Sequence, residues 1–280
     1  MWKSNNNHTV PEVYLKQFLN KDWKFWVFDN QKIWRQEELC YRGISNLTVK
    51  RKFYVWKTKH AEEDYTIETD ILANNIESAV KEPLLKISQR KILDEDDMSV
   101  LSYFVIFQYI RTTKFKSNFI DSRKAEQERD IIRNYSNPWY LEKVITKMKS
   151  KGKDVSWYNS QEMAAKVKSW DIKPSVTVSK EYYLNFMLHT VTRSVEDFFN
   201  MEWKLLVAPH GKYFITTDNP FIITPVWEKN IWIWIKTPWA KKYIPLSPDV
   251  CLELGDVWAS WKIPSYITIS EKELNKINYY

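Results

Sequence analysis

The apolar residues of this chain change period twice, and that change limits the folds open to it. Up to about residue 60 the pattern is short and two-residue. "WKFWVFD" and "QKIW" flank Asn30 as a hairpin, and "KFYVW" follows as a third strand. Trp23, Phe25 and Val27 alternate with Lys24, Trp26 and Phe28, so aromatics fall on both faces and both faces are expected to be covered. From Asp64 the spacing becomes three and four. In "DYTIETDILANNIESAV", Ile67, Ile71, Leu72, Ile76 and Val80 predict a helix that Pro83 ends or kinks. Helical spacing continues through "EDDMSVLSYFVIFQYIRTTKF", with acids at its N-terminal end. It then runs through 121–150 with a break at "SNPW", and returns at 159–168 and 180–200. Strand patterns come back as "EWKLLVA", "KYFITT", "NIWIWI", "KKYIPL", "DVCLEL" and "SYITI", before "SEKELNKINYY" opens an N-capped helix.

Strands, then helices, then strands, with no regular βαβ alternation, point to an α+β fold. The expected layout is an N-terminal aromatic β-hairpin region, a central helical bundle and C-terminal antiparallel strands in one compact unit. Residues 1–60 are β-rich, 64–200 helical and 202–269 β-rich. No internal repeat or low-complexity linker divides residues 1–280, which read as a single domain.

Within this pattern a few polar residues sit where apolar ones belong. Gln108 and Arg111, three apart and so on one helix face, interrupt the run "VLSYFVIFQYIRTT". An arginine there needs a carboxylate, a cluster of main-chain carbonyls or an anionic ligand. The carboxylates on the preceding helix are Glu68 and Glu77. At about 3.6 residues per turn their spacing puts them on roughly opposite faces, so only one of the two points in. A purely structural role for Arg111 is a buried ion pair with Glu77. "YFITTDNPF" at 213–221 raises a similar choice. Asp218, Asn219 and Pro220 are turn residues that end a strand, or a carboxylate held at a strand tip where function often sits. His8, ahead of a helix start at Pro11, is an acid/base or ligand candidate, or else a capping residue. "YIPLSPD" at 243–249 reads as a rigid turn beside the Asp218 turn, and Ser247 lacks the elbow of a hydrolase nucleophile.

Composition excludes several classes. Four glycines in 280 residues leave no glycine-rich phosphate loop. No CxxC, HExxH or His-rich cluster suggests structural zinc. Cys40 and Cys251 are expected to be free thiols in a cytoplasmic protein, and no apolar run is long enough to span a bilayer. The charge is uneven. Residues 111–153 hold 12 Lys and Arg against 5 Asp and Glu, an excess of seven that equals the formal net charge of +7 for the whole chain. Such a segment suits nucleic acid, with Lys114, Lys116, Arg123 and Lys124 as phosphate contacts. Trp139 is the candidate base platform; the tryptophans in predicted strands (Trp26, Trp34, Trp56, Trp232, Trp234) are expected to fill cores.

"HTVPEVYLKQF", "IETDILANNIE", "VIFQYIRTT", "FITTDNPF" and "PLSPD", in this order, resemble the mostly bacterial domain-of-unknown-function family DUF4238 from about His8 to Asp249. The resemblance carries His8, Tyr14, Glu77, Gln108, Arg111, Asp218, Asn219 and Pro220 onto matching positions. Thr217 stands where the family pattern has Ser. The resemblance implies no established activity, but a recurring polar set favours a site over a simple strand stop at Asp218.

Three functions then compete. The first is a phosphodiesterase or nuclease-like enzyme acting on nucleic acid, as a toxin or phage-defence effector. Asp218 and Glu77 would hold a divalent metal, Mg²⁺ or Mn²⁺. His8 would serve as acid/base, Gln108 and Arg111 would orient the phosphate, and Asn219 would complete the site. The second is a non-catalytic module binding nucleic acid or protein, in which the same residues are a structural network. The third is a sensor that takes a nucleotide or small anion at Arg111.

Overall fold

The computed structural model describes residues 5–28, 39–58, 60, 62–224, 237, 239–256 and 263–279. The expected hairpin tip at Asn30, the strands "QKIW" and "NIWIWI", and Trp34, Trp232 and Trp234 lie outside these residues. The fold is α+β. Backbone contacts group the chain into two compact units. One unit comprises residues 1–115 and 184–280, and the other is the helical segment 116–183.

The first unit opens with short strands. β1 (Asn6–His8) pairs antiparallel with β4 (Val49–Arg51), and β2 (Phe25–Phe28) with β3 (Leu39–Arg42). β5 (Trp56–Lys57) pairs with β6 (Glu63–Asp64). Between β1 and β2 lies α1 (Glu12–Leu15), which starts after Pro11. "KFYVW" does not form the expected third strand. Phe53, Tyr54 and Val55 are buried as non-ladder backbone between β4 and β5. In β2 one face is covered and the other is not: Trp26 and Phe28 are exposed, whereas Phe25 and Val27 are half-buried. The alternation holds, but only one of its faces is covered, and that one in part.

The segment Ile67–Glu77 is helical with π geometry, its N–H groups reaching back five residues, as Ser78 N does to Ala73 O. Pro83 does not end this stretch. It sits in the first turn of a new helix, α2 (Lys81–Ser88), where the N–H that proline lacks has no intrahelical partner to lose. α3 (Glu95–Ile110) begins with a reciprocal cap. Asp94 accepts from Asp97 N, the Asp97 carboxylate accepts from Asp94 N, and Lys86 bridges both acids. Asp97 is one of the acids expected at its start. The body of α3 is buried almost all round and packs on α2 and the π-helix.

α4 (Thr113–Tyr135) starts after Arg111 and Thr112 break the helix, and α7 (Lys180–Phe199) brings the chain back. Within the second unit, Asn137 caps α5 (Pro138–Lys149) and Asn159 caps α6 (Ser160–Lys168), and α5 packs on α6.

The rest of the first unit is a five-stranded sheet, in the order β11, β7, β10, β9, β8, among the described residues. Its strands are β7 (Trp203–Val207), β8 (Ile222–Ile223), β9 (Lys242–Pro245), β10 (Val250–Leu254) and β11 (Ser265–Thr268). Every pair is antiparallel except β11 with β7, which is parallel, so the sheet is mixed rather than wholly antiparallel. The central strand β10 is buried at every position. On one of its faces Cys251 packs with Leu206, Phe214, Tyr243 and Ile269 under α8 (Glu271–Tyr279), which Ser270 and Glu273 cap. Cys40 and Cys251 are both free thiols.

"KYFITT" runs beside this sheet without joining it. Phe214 N donates to Pro248 O and Ile215 N to the Asn278 side chain, so the ladder positions are taken by a turn and a helix. Tyr14 is the clamp. Its ring packs on Phe18 and Phe104, and its hydroxyl donates to Pro245 O (2.6 Å) and meets Thr216 Oγ1 (2.7 Å), tying α1 to both "FITT" and "PLSPD". Tyr14→Phe keeps the ring and strands these buried oxygens. It should lower unfolding stability by about 1–3 kcal/mol in a denaturant titration, with an unchanged m-value.

Candidate functional site

The site is built around Arg111, the C-cap of α3, which is 1% exposed. A guanidinium so placed must have each face of its fork met. Nη1 donates to Glu77 Oε1 (2.9 Å), Nη2 to the main-chain oxygen of His8 (2.6 Å) and Nε to the hydroxyl of Tyr54 (3.1 Å). The guanidinium carbon also lies 5.4 Å from the centre of the Tyr54 ring. Burial pushes the Tyr54 phenol up to about 12, against the pull of Arg111. Three distant segments therefore meet at one cation: strand β1, the turn before β5 and the end of the π-helix.

The π-helix changes which acids are available. With i→i+5 bonding a turn takes about 4.4 residues, so nine residues complete roughly two turns. Glu68 and Glu77 therefore share a face, where an α-helix would oppose them. Glu77 forms the ion pair with Arg111, and Glu68 stands close enough to feel the charges of both. Burial, with Glu77 adding to it and Arg111 opposing, pushes the Glu68 carboxyl up to about 6. The expectation that only one of these acids points in is corrected by this helix geometry.

Two carboxamides complete the cluster. Asn7 is fully buried, and its Oδ1 accepts from Tyr54 N (3.3 Å). Its Nδ2 lies within reach of the Glu68 carboxylate, and this contact opposes the rise in the Glu68 proton affinity; neither Nδ2 nor Glu68 Oε2 makes a well-formed hydrogen bond among the described residues. Gln108, one turn before Arg111 on α3, is also fully buried, and neither its oxygen nor its nitrogen has a partner among the described residues.

His8 joins this cluster through its carbonyl, not its ring. Its Nδ1 lies 3.1 Å from Leu47 O and its Nε2 3.1 Å from Glu12 Oε1. The turn "TTDNP" reaches the end of α3 through Asn219, whose Oδ1 accepts from the buried Thr112 hydroxyl (2.9 Å), next in sequence to Arg111. Asn219 N in turn donates to Thr217 Oγ1 (3.1 Å), which shapes the turn. Pro220 is buried and Asp218 is exposed. No hydrogen bond or ion pair links Asp218 to Glu77 among the described residues, nor do three or more His, Cys, Asp or Glu side chains gather there as a metal-holding group.

Of the basic residues, Lys114 is exposed on the first turn of α4. Lys116 is half-buried, with its Nζ 5.3 Å from the centre of the Tyr183 ring; burial, reinforced by Lys180, holds its pKa below the usual lysine value. Arg123 pairs with Glu126 and lies over Phe119, while Lys124 is half-buried. Trp139 is 62% exposed, with Lys143 Nζ 3.5 Å from its ring centre, and the two belong to a shallow groove along α5 that also includes Thr146 and Lys147.

The family model described as "Protein of unknown function (DUF4238)" matches residues 6–280. The chain belongs to the DUF4238 family. No curated protein and no solved structure matches it. In this DUF4238 chain the segments "HTVPEVYLKQF", "IETDILANNIE", "FQYIRTT" and "FITTDNPF" are joined by the bonds just described. Three participants escaped the sequence reading. Asn7 is one of three consecutive asparagines, Tyr54 sits in an apolar run, and Thr112 reads as a helix end, so no spacing singles them out.

The raised Glu68 carboxyl fixes the sign of a stability effect. Below about 4.5 both folded and unfolded chains carry the proton. As pH rises toward 6 the unfolded chain releases it first, so Glu68 lowers stability progressively across that window. The melting temperature of Glu68→Gln minus that of wild type should therefore grow more positive from pH 4.5 to just above 6 and then level off. A flat difference across the window would show that the carboxyl titrates normally.

Proposed function

We propose that this DUF4238 protein is a hydrolase that cleaves phosphodiester bonds in nucleic acid, with the acid–base centre at Glu68 and Glu77. The observation that carries the reading is the π-helix, which turns two carboxylates toward one buried arginine that pairs with only one of them. Arg111 pairs with Glu77. Glu68, with an unpartnered oxygen and an elevated proton affinity, is the group able to exchange a proton near neutral pH. In the proposed step Glu68 takes the proton from an attacking water, the water oxygen bonds to phosphorus, and the ester P–O bond breaks. Glu68 then returns the proton to the leaving oxygen. Asp218, exposed at the turn that Asn219 anchors, is the carboxylate able to meet a divalent ion arriving from solvent, with Glu77 as the proposed second ligand. The excess of Lys and Arg across 111–153, with exposed Trp139 beside Lys143, supports a polyanionic, base-bearing substrate. Two free cysteines accord with a cytoplasmic setting, and a toxin or phage-defence effector is the context such an activity suits.

His8 is assigned a positioning role, because both ring nitrogens have partners and only its carbonyl touches Arg111. Arg111 likewise positions Glu77 rather than gripping a phosphate, since each nitrogen of its fork already donates to a protein acceptor. The test is a cleavage panel of single- and double-stranded DNA and RNA with Mg²⁺, with Mn²⁺ and with chelator. Glu68→Gln should slow turnover about 10²–10⁴-fold while melting at or above the wild-type temperature at pH 7. Asp218→Ala should abolish the metal-dependent part of the activity. Cleavage by wild type that neither substitution alters would remove the site from this cluster, and no cleavage of any substrate would leave the network architectural.

A further inference from the structure

Helix α5 carries its tryptophan on the polar side. Leu141, Val144, Ile145 and Met148 recur at three- and four-residue spacing and form its buried and half-buried side. Trp139, Glu142, Lys143, Thr146, Lys147 and Ser150 recur at the same spacing on the opposite side. All six are exposed, and they line a groove of about 420 Å³ that opens to solvent. The indole is little engaged in packing there: it is 62% exposed, with Lys143 Nζ 3.5 Å from its ring centre. We propose that this face of α5 is a docking surface for single-stranded nucleic acid, with Trp139 as the platform for an unpaired base and the lysines after it as phosphate contacts. The surface deepens the nucleic-acid reading above, on which it rests for any link to cleavage, but its own evidence is confined to the helical unit.

Charge selects the class of partner. Residues 138–153 hold five lysines, at 143, 147, 149, 151 and 153, against one acid, Glu142. Ion pairs within this unit engage Arg123, Arg133 and Lys166; none engages those five lysines among the described residues, and all five are exposed. Cations left uncompensated in a row attract a polyanion. Lys143 and Lys147 stand about 6 Å apart along the helix axis, so they can meet successive phosphates of a strand rather than the same one. The indole then discriminates among polyanions. A lipid surface needs several large apolar side chains on the exposed face, and among the described residues Trp139 is the one that lines the groove. An acidic peptide brings carboxylates but no flat ring to lie on an indole. A nucleotide brings both, a π-face for Trp139 and a phosphate for the lysines. Lys143 on one face of the ring strengthens stacking on the other, or swings out to a phosphate and frees the face it covers. A duplex keeps its base faces within its own stack, which leaves the unpaired strand as the partner.

Fluorescence anisotropy of short labelled oligouridylate and oligothymidylate strands, titrated with the full chain in the presence of chelator, tests the assignment. Duplex DNA of equal length, polyglutamate and phosphatidylserine-containing vesicles serve as competitors. A single strand should bind saturably and more tightly than any competitor. Trp139→Ala should weaken that binding about tenfold or more, and Trp139→Phe should recover most of the loss. Trp26→Ala, which removes a comparably exposed indole from β2, should leave it unchanged. Lys147→Ala should reduce the slope of log Kd against log salt by about 0.7. All four positions are exposed, and each variant should melt near the wild-type temperature. Absence of strand binding, competition by polyglutamate or vesicles as strong as by the strand itself, or binding that Trp139→Ala leaves unchanged would overturn the surface. Strand binding that depends on Trp139 in a protein that cleaves nothing would keep the surface and reject the hydrolase. Cleavage of single strands with a KM that Trp139→Ala does not raise would keep the hydrolase and reject the surface.

Discussion

A guanidinium that is 1% exposed dictates much of the first unit. Arg111 cannot shed its charge, so the chain must bring acceptors to it from wherever the sequence holds them. It obtains a carboxylate from residue 77, a carbonyl from residue 8 and a phenol from residue 54, spans of 34, 103 and 57 residues. These contacts are long-range, and they explain why an N-terminal segment with little regular structure is fixed at all. β1 is three residues long and its ladder with β4 is short; the bond from Arg111 to His8 O supplies what the ladder alone does not. A buried pair of this kind adds little net stability over a well-packed apolar substitute, but losing one partner strands the other. The arrangement therefore specifies a geometry more than it deepens the fold.

That geometry depends on a helix of unusual pitch. Had Ile67–Glu77 been an α-helix, Glu68 and Glu77 would stand on opposite sides and one acid would face solvent. With π geometry both turn toward Arg111, and burial, with the repulsion of Glu77 added and Arg111 opposing, raises the proton affinity of Glu68. A wide helix is costly in backbone terms, because its hydrogen bonds are poorly aligned and its core is loose. Here its consequence is two carboxylates near one cation, of which only Glu77 pairs with it. Such an imbalance is the usual physical origin of a side chain whose proton can move near neutral pH.

The parts of this arrangement that could be read from the sequence are those governed by residue type and α-helical period. A Gln and an Arg three apart in an apolar run announce a buried polar face, and Arg111 and Gln108 are both buried. The sequence leaves open which of Glu68 and Glu77 pairs with Arg111; in the structure it is Glu77. What could not be read depends on conformations the residue pattern does not specify. Pitch is one, since Ile67, Ile71, Leu72 and Ile76 satisfy an α period as well as a π period to within the breadth of an apolar stripe. Competition for hydrogen bonds is another. "KYFITT" has the alternation of a strand, but Pro248 O and the Asn278 side chain engage its N–H groups first. Exposure is a third: the residues of "WKFWVF" alternate correctly, yet nothing in them tells that Trp26 and Phe28 stay on the surface. Backbone carbonyls are a fourth. His8 was singled out for its imidazole, whereas the atom that reaches Arg111 is its main-chain oxygen.

The same distinction governs the basic segment. A count of charges treats each Lys and Arg as available to a polyanion, but a side chain over an aromatic ring or beside an acid is partly committed. Lys116 lies over Tyr183 and Arg123 over Phe119 with Glu126 attached, so their charges fall within the helical unit's own packing. Lys143 also sits over a ring, that of Trp139, but both of these residues are exposed, so the pair is a surface feature and not a packing one. A base stacked on that indole would meet a cation already centred on the opposite or adjacent face, which strengthens stacking with an electron-rich ring and adds a phosphate partner one turn of helix away at Lys147. The segment's positive charge thus includes side chains drawn into the helical unit's own packing, such as Lys116 and Arg123, and others that face outward, among them Lys114 on α4 and, beside an aromatic, Lys143 on α5.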